Sequence, residues 1–372
     1  MVTNKQCTGC LACYNMCSIN AIQVNQLDMS VTIDRNKCIN CKLCEKVCPE
    51  KKTKKDLNLF KTRTVVAAAL LDEEIKEKSS SGGVFSALAQ VVLKNKGMVY
   101  GAVWDKNWRV IHIGISDIND LPRMYGSKYV HSDIGLIYRE ICKTLENHVP
   151  VLFSGTPCQV AGLRSFLGKS DENLYTVEML CHGISDPFLF DAYMREYHRK
   201  DIRTFSMRSK KTGWANCSYC FDVEYTDGSN YLRYNKREPY MIVFANDICL
   251  HESCYHCRYR NIRAADVSIG DYWGIEHMQS ALNDGKGVSR IYVNTEKGEE
   301  MIRSAHYLLH IETVETRPPT VTGPSKERQA MREPFIYNLE KLGFRKALYR
   351  VIIPLYWSKL RGRLTLFLWR KR

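Results

Sequence analysis

Two cysteine-rich stretches near the N-terminus, CTGCLACYNMC (7–17) and CINCKLCEKVCP (38–49), share one spacing. Each carries the pattern C-x2-C-x2-C-x3-C, and Pro49 follows the last cysteine of the second copy. This run is typical of proteins that hold a pair of [4Fe–4S] clusters, because three closely spaced cysteines bind one cube and the fourth binds the other. The spacing therefore predicts a small two-cluster ferredoxin domain over residues 1–55.

The same spacing predicts how the eight cysteines divide between the cubes. The first cluster is expected on Cys7, Cys10, Cys13 and Cys48, and the second on Cys38, Cys41, Cys44 and Cys17. Structural zinc is the alternative, but it needs tetrahedral sets of four ligands that usually come from separated pairs. The repeated triplet-plus-one pattern favours iron–sulfur clusters.

Composition indicates a globular protein with metal-bound thiolates. The chain has 372 residues, of which 45% are hydrophobic and 25% charged, so two or three domains are expected. Sixteen cysteines would suggest disulfides in a secreted chain, but the start MVTNKQC has no apolar signal region. No stretch reaches the ~20 apolar residues that a transmembrane helix needs. The expected location is the cytoplasm.

The positive charge is concentrated at the C-terminus. The net charge is +14, and residues 341–372 hold ten Lys or Arg and no acid. A nucleic-acid footprint over the whole surface is therefore not indicated, and no nucleic-acid partner is expected. Residues 326–372 are predicted to form a basic amphipathic helical tail, kinked at Pro354. Such a tail either contacts the inner face of an anionic membrane or docks on the body with its basic face outward.

From about Phe60 the sequence alternates between apolar strands and helices. VFSALAQVVLKNKG (84–97) predicts a helix ending at Gly97, and MVYGAVW (98–104), VIHIGI (110–115), VPVLFSG (149–155) and LYTVEML (174–180) predict strands. A helix ending near Gly168 should follow VPVLFSG. This alternation predicts an α/β domain over residues 60–325, with a strand-rich α+β portion between residues 200 and 300.

Four further cysteines could hold a third cube. Cys158 and Cys181 each follow a predicted strand, where α/β sheets place ligands, and Cys254 and Cys257 form a C-x2-C pair. The alternative is that Cys158 and Cys181 are small buried hydrophobic residues. Cys249 competes with any of the four, so the spacing alone leaves the ligand set open.

The serine–glycine loop at Ser79–Gly83 is a candidate anion site. Backbone N–H groups at a helix N-terminus point towards a phosphate, although serine is equally an ordinary helix cap. No G-x-G-x-x-G follows a strand, so a Rossmann dinucleotide site is not supported.

The combination of these stretches resembles a known family. It is similar to the beta subunits of coenzyme F420 hydrogenases and dehydrogenases, in the version with a fused N-terminal two-cluster ferredoxin. The matching stretches keep the family order and are SSSGGVFSALA (79–89), YGSKYV (125–130), SGTPCQVAGLRSFL (154–167), CHGISDP (181–187) and SCYHCRYRNIRAADVSIGDYWGI (253–275).

The resemblance implies FAD and an iron–sulfur cluster in the main domain. It places the third cluster on Cys158, Cys181, Cys254 and Cys257. The flavin contacts that it implies are Ser79, Ser80, Ser81, Gly82, Gly83, Gly126, Ser127, Lys128, Tyr129 and Thr156. Asp271 and Trp273 would shape the flavin pocket, or serve as core and cap residues. His182 is expected to be a buried structural histidine, with donation to a cluster sulfur as the alternative.

These observations predict an iron–sulfur flavoprotein oxidoreductase. Electrons would pass between the ferredoxin clusters, the third cluster and FAD, which would exchange a hydride with the deazaflavin coenzyme F420 or another small organic substrate. A redox partner protein or a small-molecule electron donor is expected. Because no general acid/base constellation is evident, the alternative is a non-catalytic electron-transfer subunit serving a partner oxidoreductase, for example one of a polysaccharide-related pathway. Purely structural clusters are the third hypothesis.

Overall fold

Two parts of different architecture follow one another along the chain. The computed structural model describes residues 5–53, 55–57, 59–278, 280–314 and 323–351. In the first part, two short helices, α1 (Ala12–Met16) and α2 (Leu43–Val47), accompany an antiparallel pair of strands, β1 (Ile22–Val24) and β2 (Val31–Ile33). This ferredoxin-like domain carries both cysteine repeats.

The larger part is built on two sheets. Its strands are β3 (Thr64–Leu70), β4 (Met98–Trp104), β5 (Val110–Ile115), β6 (Val151–Gly155), β7 (Leu174–Met179), β8 (Ile202–Ser209), β9 (Cys220–Tyr225), β10 (Asn230–Tyr234), β11 (Val267–Asp271), β12 (Ser289–Val293) and β13 (Leu309–Thr313). The mixed eight-stranded sheet has the order β13-β3-β12-β11-β7-β6-β4-β5, and β10-β9-β8 form a separate antiparallel sheet. The predicted combination of an α/β domain with a strand-rich portion is confirmed.

The parallel centre of the large sheet positions the candidate sites. Strands β4, β6, β7 and β11 run in one direction, so their carboxyl ends lie at the same edge of the sheet. Cys158 lies in the first turn of the helix that follows β6, Cys181 lies in the loop after β7, and Asp271 ends β11. Ligand sites of parallel α/β sheets form at such an edge.

Several helices of the larger part pack on the large sheet. They are α3 (Glu73–Lys78), α4 (Val84–Lys94), α5 (Ile137–Glu146), α6 (Pro157–Leu167), α7 (Pro187–Tyr197), α8 (Pro239–Ala245), α9 (Glu296–Ser304), α10 (Lys326–Ala330) and α11 (Arg332–Leu342). Among the described residues, none of these helices is long and apolar enough to cross a membrane.

Helix α6 has strong signals at both ends. Thr156 and Gln159 form a reciprocal capping box, in which each side chain accepts from the backbone of the other, and Pro157 occupies the first turn. Gly168 ends the helix in the left-handed conformation, with φ of 70°. The predicted end near Gly168 is therefore confirmed. These signals fix the position of Cys158, the second residue of the helix.

The ferredoxin-like domain is seated directly on α5 and α6. Arg139 on α5 donates from Nε to the carbonyl of Asn15 and from its terminal nitrogen to the carbonyl of Cys17, both at 2.6 Å. Ser165 on α6 donates to the carbonyl of Val47 at 2.6 Å. Contacts to main-chain carbonyls hold the backbone of the domain, so its orientation does not depend on flexible side chains of the domain itself.

Residues 332–351 pack on the larger domain. Phe335, Phe344 and Ala347 are fully buried in the aromatic core around α7 and α8. This first part of the predicted tail is thus docked on the body. The rest of it, residues 352–372, lies outside the described residues, and contact with a membrane stays a prediction.

Candidate cofactor sites

The four cysteines predicted for the first cluster line one pocket on the side of the ferredoxin-like domain that meets the larger domain. This inner cysteine group consists of Cys7, Cys10, Cys13 and Cys48. Cys10 is only 8% exposed. Burial raises the pKa of Cys10 well above its ordinary value and the pKa of Cys13 to about 12. Thiolates there need a positively charged partner, which the irons of a cube would supply, so the group fits the cofactor.

Two histidines of the larger domain contact the loop of the inner cysteine group. His131 Nε2 lies 2.9 Å from the carbonyl of Thr8, and His251 Nε2 lies 2.7 Å from the carbonyl of Cys7. His251 Nδ1 faces Asp186 at 2.5 Å. Burial opposes a charge on His251, but the Asp186 carboxylate outweighs it and raises the pKa of the imidazole. With acceptors beside both ring nitrogens, a protonated His251 can donate to Asp186 and to the Cys7 carbonyl together.

The outer cysteine group consists of the cysteines predicted for the second cluster, Cys17, Cys38, Cys41 and Cys44. Cys41 is exposed. The backbone N–H of Asn40 donates to Cys38 Sγ at 3.4 Å, and that of Ala21 donates to Cys17 Sγ at 3.3 Å. Hydrogen bonds to thiolate sulfur are one of the means by which proteins adjust cluster potentials. Cys44 also lines the pocket of the inner cysteine group, so the two groups are neighbours.

The structure brings together the four cysteines of the predicted third cluster. Burial raises the pKa of Cys158, Cys181, Cys254 and Cys257. Repulsion from other cysteines of the group raises the pKa of Cys158, Cys181 and Cys254 further. Arg260 contributes positive charge beside Cys181 and Cys257. Cys249 is fully buried in the aromatic core, next to Arg332 and Asp186. Cys249 is therefore packed as a core residue.

The two metal alternatives place different demands on the cysteines. Thiolates of a zinc site must converge at ~2.3 Å from one ion, whereas the thiolates of a cube bind four separate irons. Among the described residues, no group of three or more His, Cys, Asp or Glu side chains could hold one metal ion.

Helix α6 connects the inner cysteine group with the third group. Cys158 lies in its first turn, and Gly162 follows one turn later. A Cβ atom at Gly162 would lie 2.9 Å from Cys10 Cβ and 3.1 Å from Cys10 Sγ. Only glycine allows this approach, so Cys10 rests directly against the helix that carries Cys158.

Two buried tyrosines occupy the same contact. Tyr138 and Tyr259 are 0% and 1% exposed. Burial raises the pKa of both phenols, and the charges of Cys10 and Cys158 raise it further, which places each ring near both cysteine groups. The Tyr259 hydroxyl donates to Glu50 Oε1 at 2.7 Å. Buried aromatic side chains therefore occupy part of the space between the two groups.

The two stretches predicted to hold the flavin meet each other. The backbone N–H and the hydroxyl of Ser127 approach Ser80 Oγ at 2.6 and 2.9 Å. Gly83 stands at the N-terminus of α4 with φ of 80°, a conformation that glycine adopts without strain. Serine and glycine N–H groups at a helix start suit a phosphate, so the joined loops fit the diphosphate of FAD.

Two lysines bring positive charge to these loops. Lys128 Nζ donates to the carbonyls of Gly126 and Tyr125 at 3.0 and 3.1 Å. Lys210 Nζ donates to the carbonyls of Ser81 and Lys76 at 2.7 and 2.6 Å. Burial lowers the pKa of Lys128 to about 7 and that of Lys210 to about 8. An anionic ligand would stabilise both ammonium groups.

Arginine and tryptophan side chains border the same region. Buried Arg208 binds both oxygens of Asp271, at 2.7 and 3.0 Å, and donates to the Tyr129 hydroxyl at 3.3 Å. Trp214 and Trp273 stack with ring centroids 4.9 Å apart, and Trp273 is 39% exposed. Asp271 therefore orients an arginine, while Trp273 presents a ring surface.

Sequence reasoning missed Arg208, Lys210 and Trp214. For Arg208 and Lys210 the run MRSKK (207–211) was the available sequence signal, because several basic residues directly follow a strand-like alternation. Their role depends on contacts with loops more than 60 residues away, as in the Arg208–Asp271 pair. Such contacts leave no local pattern.

Two predicted residues have different surroundings from those expected. The His182 side chain is 42% exposed and faces Asp247 at 2.5 Å, so the prediction of a buried structural histidine is wrong. The residue is partly exposed because it follows the end of β7, beyond the sheet. Thr156 caps α6, and its hydroxyl lies 3.1 Å from Cys158 Sγ. Its observed contacts are with the third cysteine group, and a flavin contact stays a prediction.

Comparisons with known proteins agree with this arrangement. The N-terminal model of the coenzyme F420 hydrogenase/dehydrogenase beta subunit matches residues 65–136, and the C-terminal model matches residues 149–318. A 4Fe-4S dicluster domain matches residues 6–52, which implies two [4Fe–4S] clusters. No curated protein matches the chain.

Among solved structures, a chain of the xenon-derivatised F420-reducing [NiFe] hydrogenase complex from Methanosarcina barkeri is similar at 20% sequence identity. The alignment covers 74% of this chain and 89% of that chain, with a TM-score of 0.47. The two beta-subunit models together span well over half of the sequence. The chain therefore belongs to the coenzyme F420 hydrogenase/dehydrogenase beta-subunit family of oxidoreductase components and carries an N-terminal 4Fe-4S dicluster domain.

Proposed function

We propose that the chain is an iron–sulfur flavoprotein oxidoreductase. Electrons pass between the outer cysteine group, the inner cysteine group, a third cluster on Cys158, Cys181, Cys254 and Cys257, and FAD. The observation that carries this order is the contact of Cys10 with Gly162, on the same helix as Cys158. Bound FAD would join the one-electron chemistry of clusters to hydride exchange with F420 or another small organic substrate.

Residues of the chain prepare the space between the inner and third groups. Gly162 lets Cys10 approach α6, and Tyr138 and Tyr259 fill the gap around it. The hydroxyl of Tyr138 donates to the carbonyl of Gln159 at 2.8 Å, within the first turns of the same helix. A dry, packed contact keeps the separation of the two groups constant.

The loops at Ser80 and Ser127 and the lysines prepare the flavin side. Their N–H and hydroxyl groups hold an anion, and Lys128 and Lys210 offset its charge. The segment 127–131 contacts both the predicted flavin loops and the inner cysteine group. Ser127 hydrogen-bonds to Ser80, and His131 contacts the carbonyl of Thr8. The flavin loop and the inner cysteine group are thus held by one short segment.

The first test is cofactor content after anaerobic purification. About twelve irons and one FAD per chain are expected, on the arithmetic of three cubes. About eight irons without flavin would leave the alternative of an electron-transfer subunit that serves a partner enzyme.

The second test removes single third-group cysteines. Cys158→Ala and Cys254→Ala should keep the ferredoxin clusters but slow flavin reduction by a viologen at least tenfold, because the intermediate cluster is lost. Cys249→Ala is the matched control, since it removes a buried cysteine outside the group. Iron content, EPR spectra and stopped-flow absorbance check this. If both variants reduced FAD at the normal rate, the proposed order would be wrong.

A further inference from the structure

The outer side of the ferredoxin-like domain combines an exposed cluster ligand with exposed apolar residues. Cys41 is exposed, and its neighbours Ile39 and Leu43 are 70% and 44% exposed. Ile19, two residues after Cys17, is 38% exposed. Ile19, Ile39 and Leu43, which flank cysteines of the outer group, are termed the outer face; Leu43 is the first residue of α2. Large apolar residues grouped at a functional edge are typical of contact surfaces.

Bases surround the outer face. Residues 35–52 contain six Lys or Arg and two Glu. Glu45 is already paired with Lys51 at 3.1 Å, and Glu50 is turned towards Tyr259. Arg35, Lys42 and Lys46 are exposed, and the structure shows no ion pair for them among the described residues. The rim is therefore positively charged.

Among the described residues, no hydrogen bond or ion pair joins the larger domain to residues 38–44. Its hydrogen bonds to the ferredoxin-like domain reach the Thr8 carbonyl through His131, the Val47 carbonyl through Ser165 and, within the outer cysteine group, the Cys17 carbonyl through Arg139. Hydrogen bonds in the outer loop are local, such as that from the Asn40 N–H to Cys38 Sγ. An external electron carrier can come closer to the outer cysteine group than to the inner cysteine group, because Cys10 of the inner group is buried.

We propose that the outer face docks a small acidic protein that carries a one-electron centre near its surface. Ile39 and Leu43 form the apolar middle of a small, transient interface, and the basic rim steers the acidic carrier. This proposal rests on the proposed function, since it names the partner class at the entry to the same chain of clusters. The positive rim excludes a basic carrier by repulsion.

The test uses the anaerobic holoprotein and a chemically reduced acidic [4Fe–4S] ferredoxin as probe. Reduction of the protein's clusters, followed by stopped-flow absorbance, should slow at least tenfold between low and high ionic strength. The double charge reversal Lys42→Glu/Lys46→Glu should lower the rate of cluster reduction about tenfold at low salt and only slightly at high salt. Ile39→Ser should lower this rate at both salt concentrations. Lys106→Glu, an exposed charge reversal in the larger domain, is the control that should keep the wild-type rate.

Dithionite, a small reductant, separates failure of this proposal from failure of the proposed function. If dithionite reduces the clusters but not the flavin of the wild type, the proposed function fails while the docking test still stands. The docking proposal is overturned if Lys42→Glu/Lys46→Glu reacts with the ferredoxin as fast as the wild type at low salt. It is also overturned if a basic carrier protein reacts equally fast, or if the substitutions abolish only binding to anionic vesicles.

Discussion

Lys128 is the residue whose charge depends most directly on a ligand. Its ammonium group has only backbone carbonyls as partners among the described residues, and burial lowers its pKa to about 7. An unfolded lysine has a pKa near 10.4. Between about pH 7 and pH 10 the unfolded chain therefore binds a proton that the folded, flavin-free protein lacks. The contribution of Lys128 to stability therefore rises with pH across this window.

Lys128→Met should remove this contribution. The flavin-free wild type should lose thermal stability when the pH falls from about 9.5 to about 7.5, and the variant should lose less. The variant should also bind FAD at least several-fold more weakly, because an anion loses its partner. Thermal unfolding at both pH values and a flavin fluorescence titration measure these effects, with Lys106→Met as the exposed control. An unchanged pH slope in Lys128→Met would contradict the assignment.

The roles of some site residues could be predicted from the sequence, and those of others could not. The ferredoxin cysteines could be assigned because the C-x2-C-x2-C-x3-C spacing is itself the geometry of the site. Lys128 was found only through a family stretch, and Arg208 was missed, because its partner Asp271 stands on another strand 63 residues later. His182 shows the same limit, since burial depends on what packs over a loop.

At the level of single elements, α6 matters most, because it serves two cysteine groups. The first turn of α6 carries Cys158, and Gly162, which has no side chain, lets Cys10 pack against the helix backbone. An added side chain there must push the ferredoxin-like domain away, since Cys10 Cβ would be 2.9 Å from the new Cβ.

Gly162→Val should therefore weaken the coupling between the inner and third groups. The expected result is a smaller magnetic interaction between the reduced clusters by EPR and flavin reduction at least tenfold slower, with iron content retained. Gly162→Ala should give a milder form of the same change if the valine variant folds poorly. Ala89→Val overpacks the buried face of α4 and controls for general strain. Wild-type coupling in Gly162→Val would show that the contact has no role in electron transfer.

Elements were predicted well where a local pattern defines them. Strands β4 to β7 coincide with apolar runs, and α6 ends at its glycine. The order of the strands could not be predicted in the same way. β3 lies between β12 and β13, whose residues follow more than 200 positions later, and only their side-chain packing selects that pairing.

For the whole molecule, the decisive feature is the fixed seat of the ferredoxin-like domain. Arg139 alone gives two hydrogen bonds to carbonyls of the segment around α1. Hydrogen bonds from a charged donor contribute about 1.5–3 kcal/mol each to stability.

Arg139→Ala should loosen the seat without unfolding the sheet. Amide exchange in residues 12–17 should accelerate at least tenfold, as loss of ~2 kcal/mol predicts, while β6 and β7 keep their protection. Hydrogen-exchange mass spectrometry measures this. Arg139→Lys should recover part of the effect, and Arg123→Ala removes an exposed pair as the control. Equal exchange in Arg139→Ala and the wild type would assign the seat to other contacts.

The contrast between exposed Cys41 and buried Cys10 also sets the order of chemical damage. Oxidants attack accessible sulfur first, so air should destroy the outermost cube while the buried ones survive behind the larger domain. A preparation handled in air would then keep the inner and third clusters but lack the outer one. Its iron content would be low, and it would accept electrons from small permeant reductants but not from protein donors.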